Sequence, residues 1–353
     1  MITLKRHPKE GRVLLNNNPC VVIAQVDPDP QVYYRVVITV NEDEQFEESW
    51  SKISDRLEID LRHFYTNRFP AQSYDLSTST ITKVNEPLIQ INLTINEYAL
   101  ADDSLISTQD VPQFFMLETF MPDVFDDSAK LKLLGSTIKD RWVHQFSVIR
   151  VMFYFNNSIA SKIRYTLVND QHENLIVKEI NEISPGIYML QLKLDIVNLT
   201  KVNYLQIGDE TKNYEQIVLR LKDISYYSAT PILYKNIHGA FVSADLFGET
   251  SIEYPHERES YQLNDDSYAT YQVTTSTAIQ INTGHLYQSQ IQLLKNINES
   301  REVFLKLDNT YQKARIATRK SPGAVKNQFL YDGTIDFIID PITGDNDSKF
   351  DVI

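Results

Sequence analysis

Residues 278–284, Ala278-Ile279-Gln280-Ile281-Asn282-Thr283-Gly284, alternate apolar and polar side chains as a half-buried strand does, and they stop at a glycine suited to a sharp turn. The period then changes. From Leu286 to Ile297 the spacing predicts a helix: Tyr287, Ile291 and Leu294 share one face, with Leu286, Leu293 and Ile297 beside them. Arg301 falls just past the last turn, where a cation suits the helix dipole. Val303 to Leu307, Ala314 to Thr318 and Phe329 to Ile339 return to β character. So broad an apolar stripe needs a sheet to lie on. The region 251–353 is therefore expected to be a small α+β domain, a barrel or curled sheet carrying one helix.

Upstream the pattern is β throughout. In the region 1–125, Val13-Leu14-Leu15 and Val21-Val22-Ile23 are short apolar runs, broken at Asp27-Pro28-Asp29-Pro30, where proline removes ladder donors. Tyr33 to Val40 reads as a strand buried on both faces, and Asn41 to Glu48 as an acidic, solvated loop. Leu88 to Ile95 alternates most cleanly, with Ile89, Ile91, Leu93 and Ile95 on one face. Met121 to Asp127 marks a boundary. In the region 126–250, Val148 to Phe155 reads as a buried strand, and Ile163, Tyr165 and Leu167 alternate. Ser184-Pro185-Gly186 is a turn signal; Leu190, Leu192, Leu194 and Ile196 fall on one face after it, and Ile217, Leu219 and Leu221 repeat the pattern. The expected fold class is mainly β: two β-sandwich-like domains, 1–125 and 126–250, followed by the α+β domain.

Composition agrees. The chain has 353 residues, 42% of them hydrophobic, with 20 Tyr and 16 Phe against only 10 Gly, a balance that suits strands and excludes disorder. A net charge of −13 without a Lys/Arg stripe argues against gripping nucleic-acid phosphates. The single cysteine, Cys20, excludes an intrachain disulfide and fits folding in a reducing cytoplasm. No apolar run is long enough to insert in a membrane, and Met1 to Glu10 lacks the apolar segment of a signal peptide. The Asn-x-Ser/Thr matches at Asn92, Asn156, Asn198 and Asn298 therefore read as chance.

Chemistry is sparse. None of His7, His63, His144, His172, His238, His256 and His285 has metal-pair spacing. His256-Glu257 opens like a zinc-protease motif, but Ser260 stands where the second ligand belongs. Cys20, between Pro19 and Val21, reads as a small buried hydrophobe. Asp340 to Asp347 carries calcium-friendly oxygens but misplaces the glycine of an EF-hand loop. The neighbouring carboxylates Asp102-Asp103 and Asp265-Asp266 read as solvated loop residues, and Tyr226-Tyr227 as packing or contact aromatics that could also stack on sugars. No nucleophile elbow and no phosphate-cradling glycine loop occurs. No catalytic, cofactor-binding or metal-ligating residue is assigned, and no cofactor is expected.

Three stretches together resemble a family of tail-associated proteins of Bacteroidetes phages and prophages. They are Asn18-Pro19 with the run through Tyr34-Arg35-Val36, then Ile232 to Phe241 with Gly248 and Glu257 to Ser260, and finally Asn282 to Leu286 with Ser300 to Leu305 and Gly333 to Phe337. The likeness covers the beginning and the last part of the chain and leaves 126–215 unmatched. It implies a structural component of the virion tail or baseplate rather than an enzyme, made in the host bacterial cytoplasm. It also implies self-association in a symmetric ring and contacts with other tail or baseplate proteins, without specific nucleic-acid binding. A glycan- or receptor-binding β-sandwich module that attaches to the bacterial surface is the alternative reading.

Overall fold

Alternation of side chains sets the architecture. The computed structural model describes residues 2–15, 18, 20–26, 29, 31–41, 44–51, 55–61, 79–84, 88–119, 129–135, 139–156, 162–181, 184–222, 229–262, 268–307, 310–318, 330–339 and 349–350. The first strands are β1 (Thr3–Arg6), β2 (Val13–Leu15), β3 (Val21–Gln25), β4 (Val32–Val40), β5 (Glu44–Ser51) and β6 (Arg56–Asp60). After them come β7 (Thr80–Val84), β8 (Leu88–Ala99) and β9 (Leu105–Leu117). The chain divides into two units, Met1–Gln72 with Val84–Ala129, and Ser73–Lys83 with Lys130–Ile353.

In the first unit a five-stranded sheet, β2-β9-β8-β4-β5, shares one core with a three-stranded sheet, β1-β3-β6. Ile89, Ile91, Leu93 and Ile95 of β8 are at most 1% exposed. At about 1.5–3 kcal/mol for each buried side chain, a one-residue slip would expose all four, which pins the register. Two expectations are corrected here. β4 is buried on one face only, because Tyr33, Arg35, Val37 and Thr39 lie on the outer side of the sheet. The acidic stretch after Asn41 is not a loop but includes β5, an edge strand paired with β4 from Val40↔Glu44 to Tyr33↔Ser51. An edge tolerates acidic side chains that a central strand would not.

The second unit continues with β10 (Leu131–Leu133), β11 (Asp140–Val143), β12 (Val148–Phe155), β13 (Lys162–Asn169) and β14 (Asn174–Asn181). Then follow β15 (Gly186–Lys193), β16 (Val202–Asp209) and β17 (Asn213–Leu221). Sheets β10-β12-β15-β7 and β11-β17-β16-β13-β14 enclose a second core that includes Phe153, Phe155, Tyr165, Leu192 and Leu205. Ile196 leaves the expected face and is 61% exposed, because β15 ends at Lys193.

The last stretch adds β18 (Thr230–Lys235), β19 (Phe241–Leu246), β20 (Thr250–Glu253), β21 (His256–Gln262), β22 (Tyr268–Thr275) and β23 (Thr277–Asn282). They are followed by β24 (Leu286–Tyr287), α1 (Ile291–Asn298), β25 (Val303–Leu307), β26 (Thr310–Ile316), β27 (Leu330–Tyr331), β28 (Thr334–Ile339) and β29 (Lys349–Phe350). An eight-stranded sheet runs β19-β18-β25-β26-β28-β23-β20, with β29 on β26, and among the described residues its two ends do not pair, so it is not a closed barrel. Leu293, Leu294 and Ile297 of α1 join the core on this sheet. The helix begins five residues later than the periodicity predicts. Leu286 and Tyr287 instead pair with Tyr331 and Leu330, and the Tyr287 N–H donates to Gln290 Oε1 at 2.9 Å. Leu286 enters the same core as strand or as helix, so periodicity alone does not separate the two.

Candidate functional site

The outer face of the first unit carries an aromatic cluster beside the β8–β9 turn. Tyr33 and Tyr98 are direct cross-strand partners, their rings stacked at 5.3 Å and 15°. The Arg35 guanidinium lies 4.8 Å from the Tyr98 ring centroid, within cation–π range. It also donates to Tyr33 Oη at 3.3 Å and approaches Glu47 at 3.7 Å. Tyr33 Oη donates to Asp103, which holds a left-handed backbone (φ 60°) in the turn, and this bond raises the phenol's pKa. Beneath the platform, Glu97 is buried and accepts from Tyr34 Oη at 3.2 Å and Ser107 Oγ at 2.5 Å. The result is a braced patch of two rings, a cation and carboxylates. Such a patch can stack a flat apolar face and hydrogen-bond hydroxyl groups.

A second constellation is buried in the other unit, where β11 and β12 meet β19. Ser147 Oγ donates to Asp245 Oδ2 at 2.5 Å and accepts the His144 N–H at 2.8 Å, and His144 Nε2 lies 3.9 Å from Asp245 Oδ1. Arg141 Nη1 donates to the Ser243 carbonyl at 3.2 Å, and the Arg150 N–H donates to Ser243 Oγ at 2.8 Å. Burial drives the Asp245 carboxyl upward and His144 downward, so each is biased toward its neutral form. The residue types are those of a Ser-His-Asp hydrolase, but the wiring is not. The Ser147 hydroxyl donates its hydrogen bond to Asp245 rather than to His144, and His144 Nδ1 accepts the Phe146 N–H at 3.0 Å, so the imidazole is not placed as a base for Ser147. Ser147 is 2% exposed, which also closes it to substrate. The cluster ties a turn to β19. Sequence reading missed it because Ser147 and Asp245 belong to no short motif.

A third group lies where β11 and β17 meet β24. Arg220 forks onto Asp140 at 2.8 and 3.0 Å and stands 5.0 Å over Tyr287, which stacks on Trp142 at 5.4 Å. Lys222 lies 5.4 Å from Trp142 and 5.1 Å from Phe247, and burial lowers its pKa.

The histidines scatter. His7, His172, His256 and His285 are exposed, while His144 and His238 are buried and hydrogen-bonded. Cys20 is 5% exposed, and its thiol is pushed up to about 12, first by burial and then by the Asp60 charge. Asp102 accepts from the Ser104 N–H and hydroxyl in the turn, while Asp103 turns to Tyr33. His63, Asp265-Asp266, Tyr226-Tyr227 and Asp340 to Asp347 lie outside the described residues. Among the described residues no group of three or more His, Cys, Asp or Glu could hold a metal ion, and no helix is long and apolar enough to cross a membrane.

No protein-family model matches this chain, and no curated protein matches it. Among solved structures, a marsupial T cell receptor aligns over 80% of this chain and 95% of its own at 9% identity, with a TM-score of 0.22. A likeness that low carries no argument about function.

Proposed function

We propose that this chain is a non-catalytic structural component of a bacteriophage tail or baseplate, a tail-tip or distal-tail assembly scaffold. In this reading two β-sandwich-like domains precede a small α+β, tail-tube-like domain, and the chain assembles with copies of itself and with neighbouring tail proteins in the virion. The observation that carries it is where the resembling stretches fall. Ile232-Leu233-Tyr234 pairs with Val303-Phe304-Leu305, and Ile279 to Asn282 pairs with Thr334 to Phe337. Segments far apart in sequence thus form one sheet, a single architectural module. The Asn236-Ile237-His238-Gly239 turn between β18 and β19 is architectural too. Asn236 Oδ1 accepts the N–H groups of His238 and Ala240, its Nδ2 donates to the Leu134 carbonyl at 3.1 Å, and His238 Nδ1 accepts the Gly135 N–H at 3.0 Å.

Immunogold electron microscopy on particles induced from the source strain tests the proposal. Gold at the tail or its tip is the expected outcome. Intact particles without gold, beside soluble protein in the lysate, would sink it.

The Tyr33–Tyr98–Arg35 patch favours a second reading, attachment to a host-surface glycan. On a glycan array this reading expects a binder that is lost in Tyr33→Ala and Tyr98→Ala, and an array with no binder at high protein concentration counts against it.

A further inference from the structure

We infer that the open edge of β9, residues 105–111, is a self-association surface that takes the same edge of a second copy, antiparallel about a two-fold axis at Thr108. β9 pairs with β8 nearly end to end, but with β2 only from Val13↔Phe115 to Leu15↔Leu117. Among the described residues no strand pairs the far side of 105–111, which leaves backbone donors and acceptors open to another strand, although the Asp110 carbonyl also accepts from Gln109 Nε2 at 2.9 Å. Leu105 and Ile106 on this edge, and Leu100 in the adjoining turn, are 56%, 53% and 66% exposed.

The two edges of this sheet differ in how they are guarded. β5, the opposite edge, carries the neighbouring carboxylates Glu47 and Glu48, which disfavour an incoming strand even though Glu47 also approaches Arg35. The segment Leu105-Ile106-Ser107-Thr108-Gln109-Asp110-Val111 carries one charge and no lysine or arginine. That charge is tied back onto β8, because Asp110 accepts from Thr94 Oγ1 at 2.7 Å. Pro112, which has no N–H, ends the open stretch where the β8 pairing shifts register.

The occupant follows from charge and register. The net charge of −13 opposes contact between copies, and that repulsion is weakest where charge is sparse, as on this edge. Folded on itself about Thr108, the segment sets Leu105 opposite Val111, Ile106 opposite Asp110 and Ser107 opposite Gln109. No like charges face each other. Centring the pair on Asp110 instead would oppose the two carboxylates. The contact is isologous, each copy offering the same patch.

The inference takes its second copy from the assembly reading, and the test separates the two. Sedimentation velocity on the full chain is expected to show a concentration-dependent dimer whose dissociation constant rises tenfold or more in Ile106→Lys. Ile106 is exposed, so the variant keeps its fold, which circular dichroism checks. Thr108→Cys is expected to form a disulfide-linked dimer on oxidation, whereas Ser49→Cys on the guarded edge is not; the native Cys20 is buried and does not compete. An oligomer that survives Ile106→Lys, with Thr108→Cys unlinked, overturns the edge contact and leaves the assembly reading standing. A monomer at every concentration, with Thr108→Cys unlinked, overturns the edge contact and removes self-association from the assembly reading as well.

Discussion

Asp209 closes the β16–β17 turn by accepting from the Thr211 N–H (2.7 Å), Thr211 Oγ1 (2.5 Å), the Lys212 N–H (3.0 Å) and Tyr214 Oη (2.6 Å). Burial opposes its ionisation, but these bonds outweigh burial and hold the carboxyl well below the usual carboxylate range. The folded state therefore binds its proton more weakly than the unfolded chain does. The resulting stability is fully present above the unfolded value of about 3.9 and is lost as pH falls through the folded value. Asp209→Asn is expected to cost roughly 1.5–3 kcal/mol near neutral pH, the worth of hydrogen bonds to a charged group. That difference from wild type should shrink in urea titrations run at falling pH below about 4; a constant gap at every pH would contradict it. Cys20 gives a simpler check, since a thiol pushed up to about 12 and 5% exposed should resist a disulfide reagent when folded and react in urea. Rapid labelling of the native chain would contradict its burial. The burial of Cys20 was legible from its apolar neighbours. The Asp209 turn was not, because two of its four donors are backbone N–H groups and the two hydroxyls converge on the carboxyl only once the turn between β16 and β17 is formed.

Among the elements, those with a strict period were legible and those defined by their partners were not. β8, β12, β23 and β25 follow from alternation or continuous apolar runs, and Gly284 sits at φ 67° where a turn residue is needed. β5 and β24 were hidden. An acidic strand is stable only because β4 offers its edge, and Leu286-Tyr287 is extended only because Leu330-Tyr331 lies beside it. α1 has eight residues, too few to stand alone in water, so it depends on its buried face. Leu294→Ala, at 1% exposure, is expected to cost about 2–5 kcal/mol in chemical denaturation. A loss under about 1 kcal/mol would mean that the helix is not packed as described. The β18–β19 turn makes a second prediction. Asn236→Ala removes the acceptor of two N–H groups and the donor to Leu134, so each polar group left unsatisfied costs about 1–3 kcal/mol. Gly239→Ala, at φ 69°, should cost about 1 kcal/mol through backbone strain alone. If the two variants unfold alike, the Asn236 network contributes little.

At the scale of the molecule, neither unit is one continuous stretch of chain. Residues 73–83 belong to the second unit, and β7 forms the edge of its four-stranded sheet against β15. Ser79 Oγ accepts the Lys193 N–H at 3.0 Å, Lys83 Nζ donates to Ser184 Oγ at 2.6 Å, and Ile81 packs against the second core. In the sequence Thr80-Ile81-Thr82-Lys83-Val84 is only another β run. Which sheet it joins depends on a partner that arrives after residue 185, so local pattern does not assign it. A fragment cut at Lys130 therefore lacks a strand of its own sheet and exposes the β15 edge, the kind of unpaired template on which chains aggregate. Fragment 130–353 is expected to melt lower and aggregate more than the same fragment carrying residues 73–84 on a flexible linker at its N-terminus. At this size each kcal/mol that the strand contributes should raise the melting temperature by about 2–4 °C. The tether keeps the strand at high effective concentration, so a strand-swapped control with its apolar residue removed, Ile81→Asp, isolates pairing from mere added length. Equal melting of all three fragments would show that the second unit is complete without β7. A rise that Ile81→Asp abolishes would show that β7 stabilises the second sheet by packing and pairing, so that a strand from before residue 84 completes a sheet whose other strands follow Lys130.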